Sequence, residues 1–253
     1  MTENGAIGWS FSALLLSLRV APVFAFAPPF TLVRMPALFR MLLSLGLAAC
    51  IAAANPAGAV LGEAGAGLLI VIACKELLIG TIFLVAFQLT FAALQVAGRT
   101  IDIQAGFGLS LLIDPTTRGS LPLVGTLFVY AAAAIFFAEG GHGELLRLLA
   151  ASLDAAPLGS YQLPATPAPL IAFLSAIFLA AFGVAAGAML ALFAADLAIA
   201  LLSRTVPQMN VLILGFQVKT ILLLLVLPVT FGSAGALLAR MTRITLESLP
   251  GLL

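Results

Sequence analysis

One histidine, His142, stands in the run Gly140-Gly141-His142-Gly143, with Ser152 ten residues on and Asp154 close behind it. A hydrolytic triad needs a base beside its nucleophile, and a metal site needs several ligands. A single histidine at this spacing supplies neither, so an intramembrane hydrolase is set aside. Gly140-Gly141 reads instead as a helix stop that leaves His142 at an interface. Cys50 and Cys74 lie inside apolar runs with no ligand spacing around them, and read as small hydrophobes. No catalytic residue, cofactor or metal follows from these residues. What remains is charge placed where charge is costly. Lys75 and Glu76 are adjacent, and adjacent residues on a helix do not face each other, so each needs a partner elsewhere or water. Lys219 lies within another apolar run, where an unpaired lysine costs roughly 2.5–3.5 kcal/mol on insertion scales. Asp196 or Glu76 could supply its carboxylate. Arg99 and Asp102 are three apart and can pair if a helix continues that far. Arg204 follows the run that carries Asp196.

The elements that hold these residues are set by composition. Apolar residues make up 63% of the 253 and charged residues 8%, against about a quarter charged in a soluble domain. Such a chain cannot cover a watery surface, so its solvent is lipid or apolar partner subunits. The net charge of +1 gives no surface for nucleic acid. Its length accommodates about six spans of roughly 20 residues. Apolar runs place them near 7–27, 36–54, 66–97, 121–138, 170–198 and 209–239, the last broken near Pro228 and Gly232. All read as helices, because lipid admits only helices or closed barrels and these runs are too long for barrel strands. Arg34, Pro36 and Arg40 form a polar turn, 98–120 a glycine-rich loop, and 139–169 the longest non-apolar stretch. Ala25-Phe26-Ala27 resembles a cleavage site. The leading stretch has Glu3 and no Lys or Arg before Arg19, so it reads as a retained first span. Loop charges, five against three, put both termini on the non-cytoplasmic side.

Span three has two faces. Phe83, Phe87 and Phe91 make an aromatic ridge, while Thr81, Gln88, Gln95, Arg99 and Asp102 fall along another face. That face either meets neighbouring helices or lines a wet or subunit-filled centre. Gly183, Gly187, Ala191, Ala194 and Ala198 form a small-residue stripe for close helix approach, within the chain or between subunits. The stretch from Gly98 to Pro115 is too apolar for a free loop and too glycine-rich for a stable span. It is either a re-entrant turn packed on its own bundle or a plug across a pore, with Gly106, Phe107, Gly108, Leu109, Leu111, Leu112, Asp114 and Pro115 as its residues.

Four blocks in order carry a family resemblance. They are Lys75-Glu76 with Gly80; Ala97-Gly98, Ile101-Asp102, Gln104, Gly106-Phe107 and Asp114-Pro115; Phe136 with Gly140-Gly141-His142; and Arg204 with Pro207-Gln208-Met209-Asn210, Gly215-Phe216 and Lys219. Together they span roughly residues 75–219, and the chain resembles the FliR family and its injectisome relatives. The resemblance implies an all-α membrane protein of about six hydrophobic helices in kinked hairpins, with an interrupted loop at the pore. It implies one export-gate domain over 1–253 in the bacterial inner membrane, at the flagellar basal body, and no enzymatic activity. FliP-like and FliQ-like subunits and an FlhB-like switch protein would be its partners, and unfolded flagellar or needle proteins its cargo. Lys75, Glu76, Arg99, Asp102, Arg204 and Lys219 would then serve assembly, and Gly183 and Gly187 helix packing. In the family the loop matching Gly106–Pro122 plugs the closed channel. Here leucines stand at 109, 111 and 112, where relatives commonly carry aromatic residues. A small-solute secondary transporter suits the interrupted spans and buried charges, but shows no symmetric halves. A membrane assembly factor without conduction is a third reading.

Overall fold

In a computed structural model, residues 3–33, 35–54, 65–107, 122–162, 166–206 and 210–252 are described. Helix α1 (Glu3–Phe26) carries Pro22 inside it. Ala27 then turns extended, and Pro28-Pro29 open the single turn α2 (Pro28–Thr31), since proline suits a first helical position. Next come α3 (Ala37–Ala54) and α4 (Ala66–Gln104), then α5 (Leu123–Ala138) and α6 (Gly141–Ala155). The last two are α7 (Ala168–Thr205) and α8 (Val211–Leu252). Among the described residues there is no strand. Among the described residues five helices are long and apolar enough to cross a membrane, and the broken pair α5–α6 makes a sixth candidate. The all-α membrane fold expected from composition is what forms.

Several boundaries differ from those the hydropathy predicts. Span three does not end at 97, because Gly98 is a packing site rather than a breaker. A Cβ at Gly98 would fall on the backbone of Gly125, so bare glycine lets α4 and α5 touch. The helix continues to Gln104. The non-apolar stretch 139–169 contains a helix. Gly140 adopts a left-handed conformation at φ 75°, open to glycine without strain, and α6 starts at once. That helix buries Leu145, Leu149 and Ser152 on one face. Pro228 and Gly232 do not break α8, which runs on to Leu252. In an apolar medium a helix keeps backbone groups paired where a loop would not. Arg40, Arg99, Arg147, Arg204, Arg240 and Arg243 lie within helices rather than in the loops between them.

The chain divides into two compact units. The first takes in Met1–Leu89, Phe136–Leu174 and Arg243–Leu253. Its α1 packs against α3, and Val20, Val23, Ile79 and Phe83 are buried in its core. Phe24, Phe30, Phe87 and Phe136 form a chain of ring contacts at 4.6–6.1 Å, in the tilted and edge-on geometries aromatic pairs favour. The second unit comprises Thr90–Ile135 and Ser175–Thr242. Leu94, Ile101, Phe128, Ile177 and Leu192 are among its buried residues, and Phe128 meets Phe231 at 5.4 Å.

Candidate functional site

The largest fully buried side chain in the described chain is charged. Arg19 is 0% exposed, inside the apolar α1. Its Nε donates to Glu76 Oε2 at 2.7 Å, Nη1 to the Ser152 hydroxyl at 2.9 Å, and Nη2 to the Ala156 carbonyl at 2.9 Å. Glu76 uses its other oxygen to accept the Gly159 N–H at 3.0 Å. Lys75 reaches the same turn by another route, its Nζ donating to Gly159 O at 2.8 Å. Adjacent residues thus find separate partners at one glycine, whose φ of 75° a side chain rarely adopts. Gly80 keeps α1 and α4 close: a Cβ there would lie 2.5 Å from Arg19 O and 2.8 Å from Leu18 O. A buried ion pair is tolerated when its remaining donors and lone pairs are satisfied, and here α6 and the turn after it supply them.

This network also disposes of the hydrolytic reading. Ser152 donates to Leu149 O at 2.7 Å and accepts from Arg19, so its hydroxyl is engaged on both sides. His142 is exposed, with its ring 5.9 Å from that of Phe137. Among the described residues no cluster of His, Cys, Asp and Glu has metal-binding geometry.

In the second unit Lys219 pairs with Asp196, which settles the choice between Asp196 and Glu76. The ammonium also donates to Gln104 O at 3.1 Å, and the Gln104 amide donates to Met189 O at 3.1 Å. The C-terminal end of α4 is therefore tied to α7 and α8. Asp102 does not pair with Arg99. It is buried, and both its oxygens lie 3.2 Å from the Val124 N–H, capping α5 with an acceptor where the helix has an unpaired donor. Arg99 is exposed with Thr81, Gln88 and Gln95, so Asp102 does not belong to that face. Phe83, Phe87 and Phe91 are buried as the ridge predicts. Arg204 is exposed in the last turn of α7, where a cation suits the helix dipole. Asn210 Oδ1 accepts the Ile213 N–H at 3.4 Å at the start of α8.

The proposed plug begins just past the Lys219 tie. Gly106 has φ 94°, and a Cβ there would meet the Phe216 ring at 3.0 Å. Phe107 stacks edge-on against Phe216 at 6.3 Å. Gly108, Leu109, Leu111, Leu112, Asp114 and Pro115 lie outside the described residues. Gly183 and Gly187 of the small-residue stripe are both exposed; a Cβ at Gly183 would stand 4.0 Å from Leu237 Cδ1, and one at Gly187 would meet nothing within 4 Å. Cys50 and Cys74 are exposed as well.

Sequence reasoning missed Arg19 and Ser152 as a pair with Glu76. An ionisable residue inside an apolar first span is the signal that points to them, since such a group needs a partner at depth.

Residues 10–244 match the family described as bacterial export proteins, family 1. The chain is 30% identical to the flagellar biosynthetic protein FliR of Bacillus subtilis over 188 residues, 72% of each chain. It is 29% identical to the Escherichia coli FliR over 57% of this chain and 56% of that one. With the Yop proteins translocation protein T of Yersinia pestis it shares 30% identity over 62% of each. These are protein-export components and not enzymes. Charged networks fixed inside long apolar helices, and a match over nearly the whole sequence, give one conclusion: the chain belongs to the bacterial export protein family that includes the FliR and type III secretion T-type proteins.

Proposed function

We propose that this chain is a FliR-like core subunit of a flagellar export gate, forming with FliP-like and FliQ-like subunits the channel for unfolded flagellar proteins. An FlhB-like switch protein associates with that core, in the bacterial inner membrane at the flagellar basal body. Both compact units then serve one gate domain, with the helices in kinked hairpins around the pore. Gly106–Pro115 closes the channel, and Lys219 anchors the root of that plug.

One observation carries the reading. Helices α4, α7 and α8 hold 39, 38 and 42 residues. At 1.5 Å per residue they reach about 57–63 Å, roughly twice the 30 Å hydrocarbon core. Less than a third of each apolar stretch is buried within the chain. Apolar helices that outrun the bilayer need other protein around them, which suits a subunit wrapped by partners. A small-solute transporter has no support from the family match.

The test is deletion of Phe107–Leu112 in the complex purified with its FliP-like and FliQ-like subunits in mild detergent. The complex should still assemble, and in vesicles it should leak small ions when the parent gate is closed. Apolar constrictions block water and ions by dewetting, so losing this one opens the path. Assembly with conductance at the closed level would remove the plug. A stable chain that purifies alone and retains function would remove the gate reading.

A further inference from the structure

Asp102 lies in the last turn of α4 and is 5% exposed. Its carbonyl accepts the Phe107 N–H at 2.9 Å, and the Ile103 carbonyl accepts the Gly106 N–H at 3.0 Å. These two bonds around a glycine at φ 94° form a Schellman ending, which turns the chain off the helix. The side chain of Asp102 acts in another direction. Both carboxylate oxygens lie 3.2 Å from the Val124 N–H, 22 residues on, in the first turn of α5. One residue therefore grips the chain on both sides of the segment proposed to close the channel: Phe107 by its main chain and Val124 by its carboxylate.

Capping alone does not call for this arrangement. A helix start is most simply capped by Ser, Thr, Asp or Asn just ahead of it, and the residue ahead of α5 is Pro122. The chain instead takes its acceptor from the neighbouring helix. A buried carboxylate is unfavourable without a cation. Among the described residues no ion pair reaches Asp102, and Arg99 is exposed. A local cap would order α5 alone, whereas this one also holds α5 to the end of α4. Other contacts gather at the same end of α4. The Gly125 backbone lies against Gly98, Lys219 donates to Gln104 O at 3.1 Å, and Phe107 meets Phe216.

We propose that Asp102 is a positioning residue of the gate. By holding the chain together on both sides of the closing segment, its carboxylate sets how tightly the closed channel seals. The inference rests on the gate reading above.

The experiment measures closed-state ion leak of the purified complex in vesicles beside its melting temperature, with the Phe107–Leu112 deletion as reference. Asp102→Ala should raise the leak about tenfold or more, as losing one hydrogen bond to a charged group predicts. Asp102→Asn keeps one acceptor oxygen and should raise it about threefold, which decides the matter if the alanine variant fails to accumulate. Gly98→Ala disturbs the same helix pair without touching the carboxylate, and should stay sealed at a comparable loss of melting temperature. Asp102 variants as tight as the parent, beside a leaking deletion, would overturn the proposal and leave the gate reading standing. So would a Gly98→Ala leak equal to that of Asp102→Ala at equal melting temperature, since the carboxylate would then act only through stability. A deletion that does not leak removes the gate reading and this inference with it.

Discussion

Arg19–Glu76 and Lys219–Asp196 are the same chemistry in two surroundings. The first pair has side chains 1% and 0% exposed, and every other polar atom of the two carboxylate oxygens and three guanidinium nitrogens has a partner. The second has side chains 20% and 41% exposed and is completed by one carbonyl, that of Gln104. Burial turns a pair into an obligation, because a charge left alone in an apolar core has no solvent to return to. Partial exposure leaves the second pair replaceable by water, at least in the isolated chain. The first network holds helices in one arrangement. The second ties the root of the segment proposed to close the channel.

The contrast can be broken most decisively at Glu76. Glu76→Ala strands Arg19 and the Gly159 N–H, and should cost roughly 3–5 kcal/mol, seen as collapse of accumulation and thermal stability. Replacing both partners, Arg19→Met with Glu76→Leu, should recover part of that. It cannot recover all, because Ala156 O and Gly159 N–H stay orphaned at about 1–3 kcal/mol each. A single variant as stable as the parent would show that the buried network is dispensable. Gly98→Ala comes next. It adds no charge and drives a methyl into the Gly125 backbone, so a loss of about 1–3 kcal/mol from overpacking is expected in the same melt. That variant separates helix contact from electrostatics in the second unit. Lys219→Ala should have the smallest effect, below about 1 kcal/mol in the purified chain. Lys219→Glu should be worse, since it sets a carboxylate against Asp196 and the Gln104 carbonyl. Within the assembled complex, partner subunits would dry this pair and enlarge both losses. Equal yields of complex from parent and both variants would mean that the lysine only snorkels.

How far these features could be read beforehand depended on whether a local rule applied. Phe83, Phe87 and Phe91 were legible because a helix repeats its face every three to four residues. Composition made the membrane fold legible for the same elementary reason: few charges, much apolar surface. Arg19 and Glu76 stand 57 residues apart, and no spacing rule connects them. Only the demand that each buried charge be met could have paired them. Asp102 followed the helical spacing of Arg99 and Gln95, yet the N-terminus of α5 decided its burial. Gly98 is ambiguous in sequence because glycine signals both a loop and a close approach, and the sequence alone does not say which. Gly183 and Gly187 are ambiguous on the same ground: a small-residue stripe names a packing face without naming what packs there.

The separation of Arg19 from its last partners has a consequence in time. Ser152 follows it by 133 residues and Ala156 by 137. Ribosomes add about 5–20 residues per second, so about 7–27 s pass between synthesis of the arginine and synthesis of the groups that complete its shell. Glu76 itself comes 57 residues after the arginine. Until then the guanidinium has none of these partners, and afterwards it has a single oxygen contact, its other donors being met by water or by lipid headgroups. The first helix therefore cannot settle at its final depth when it is made. Its place in the bilayer is fixed only after α6 and the turn at Gly159 have left the ribosome, which makes insertion of this chain a late, whole-molecule event.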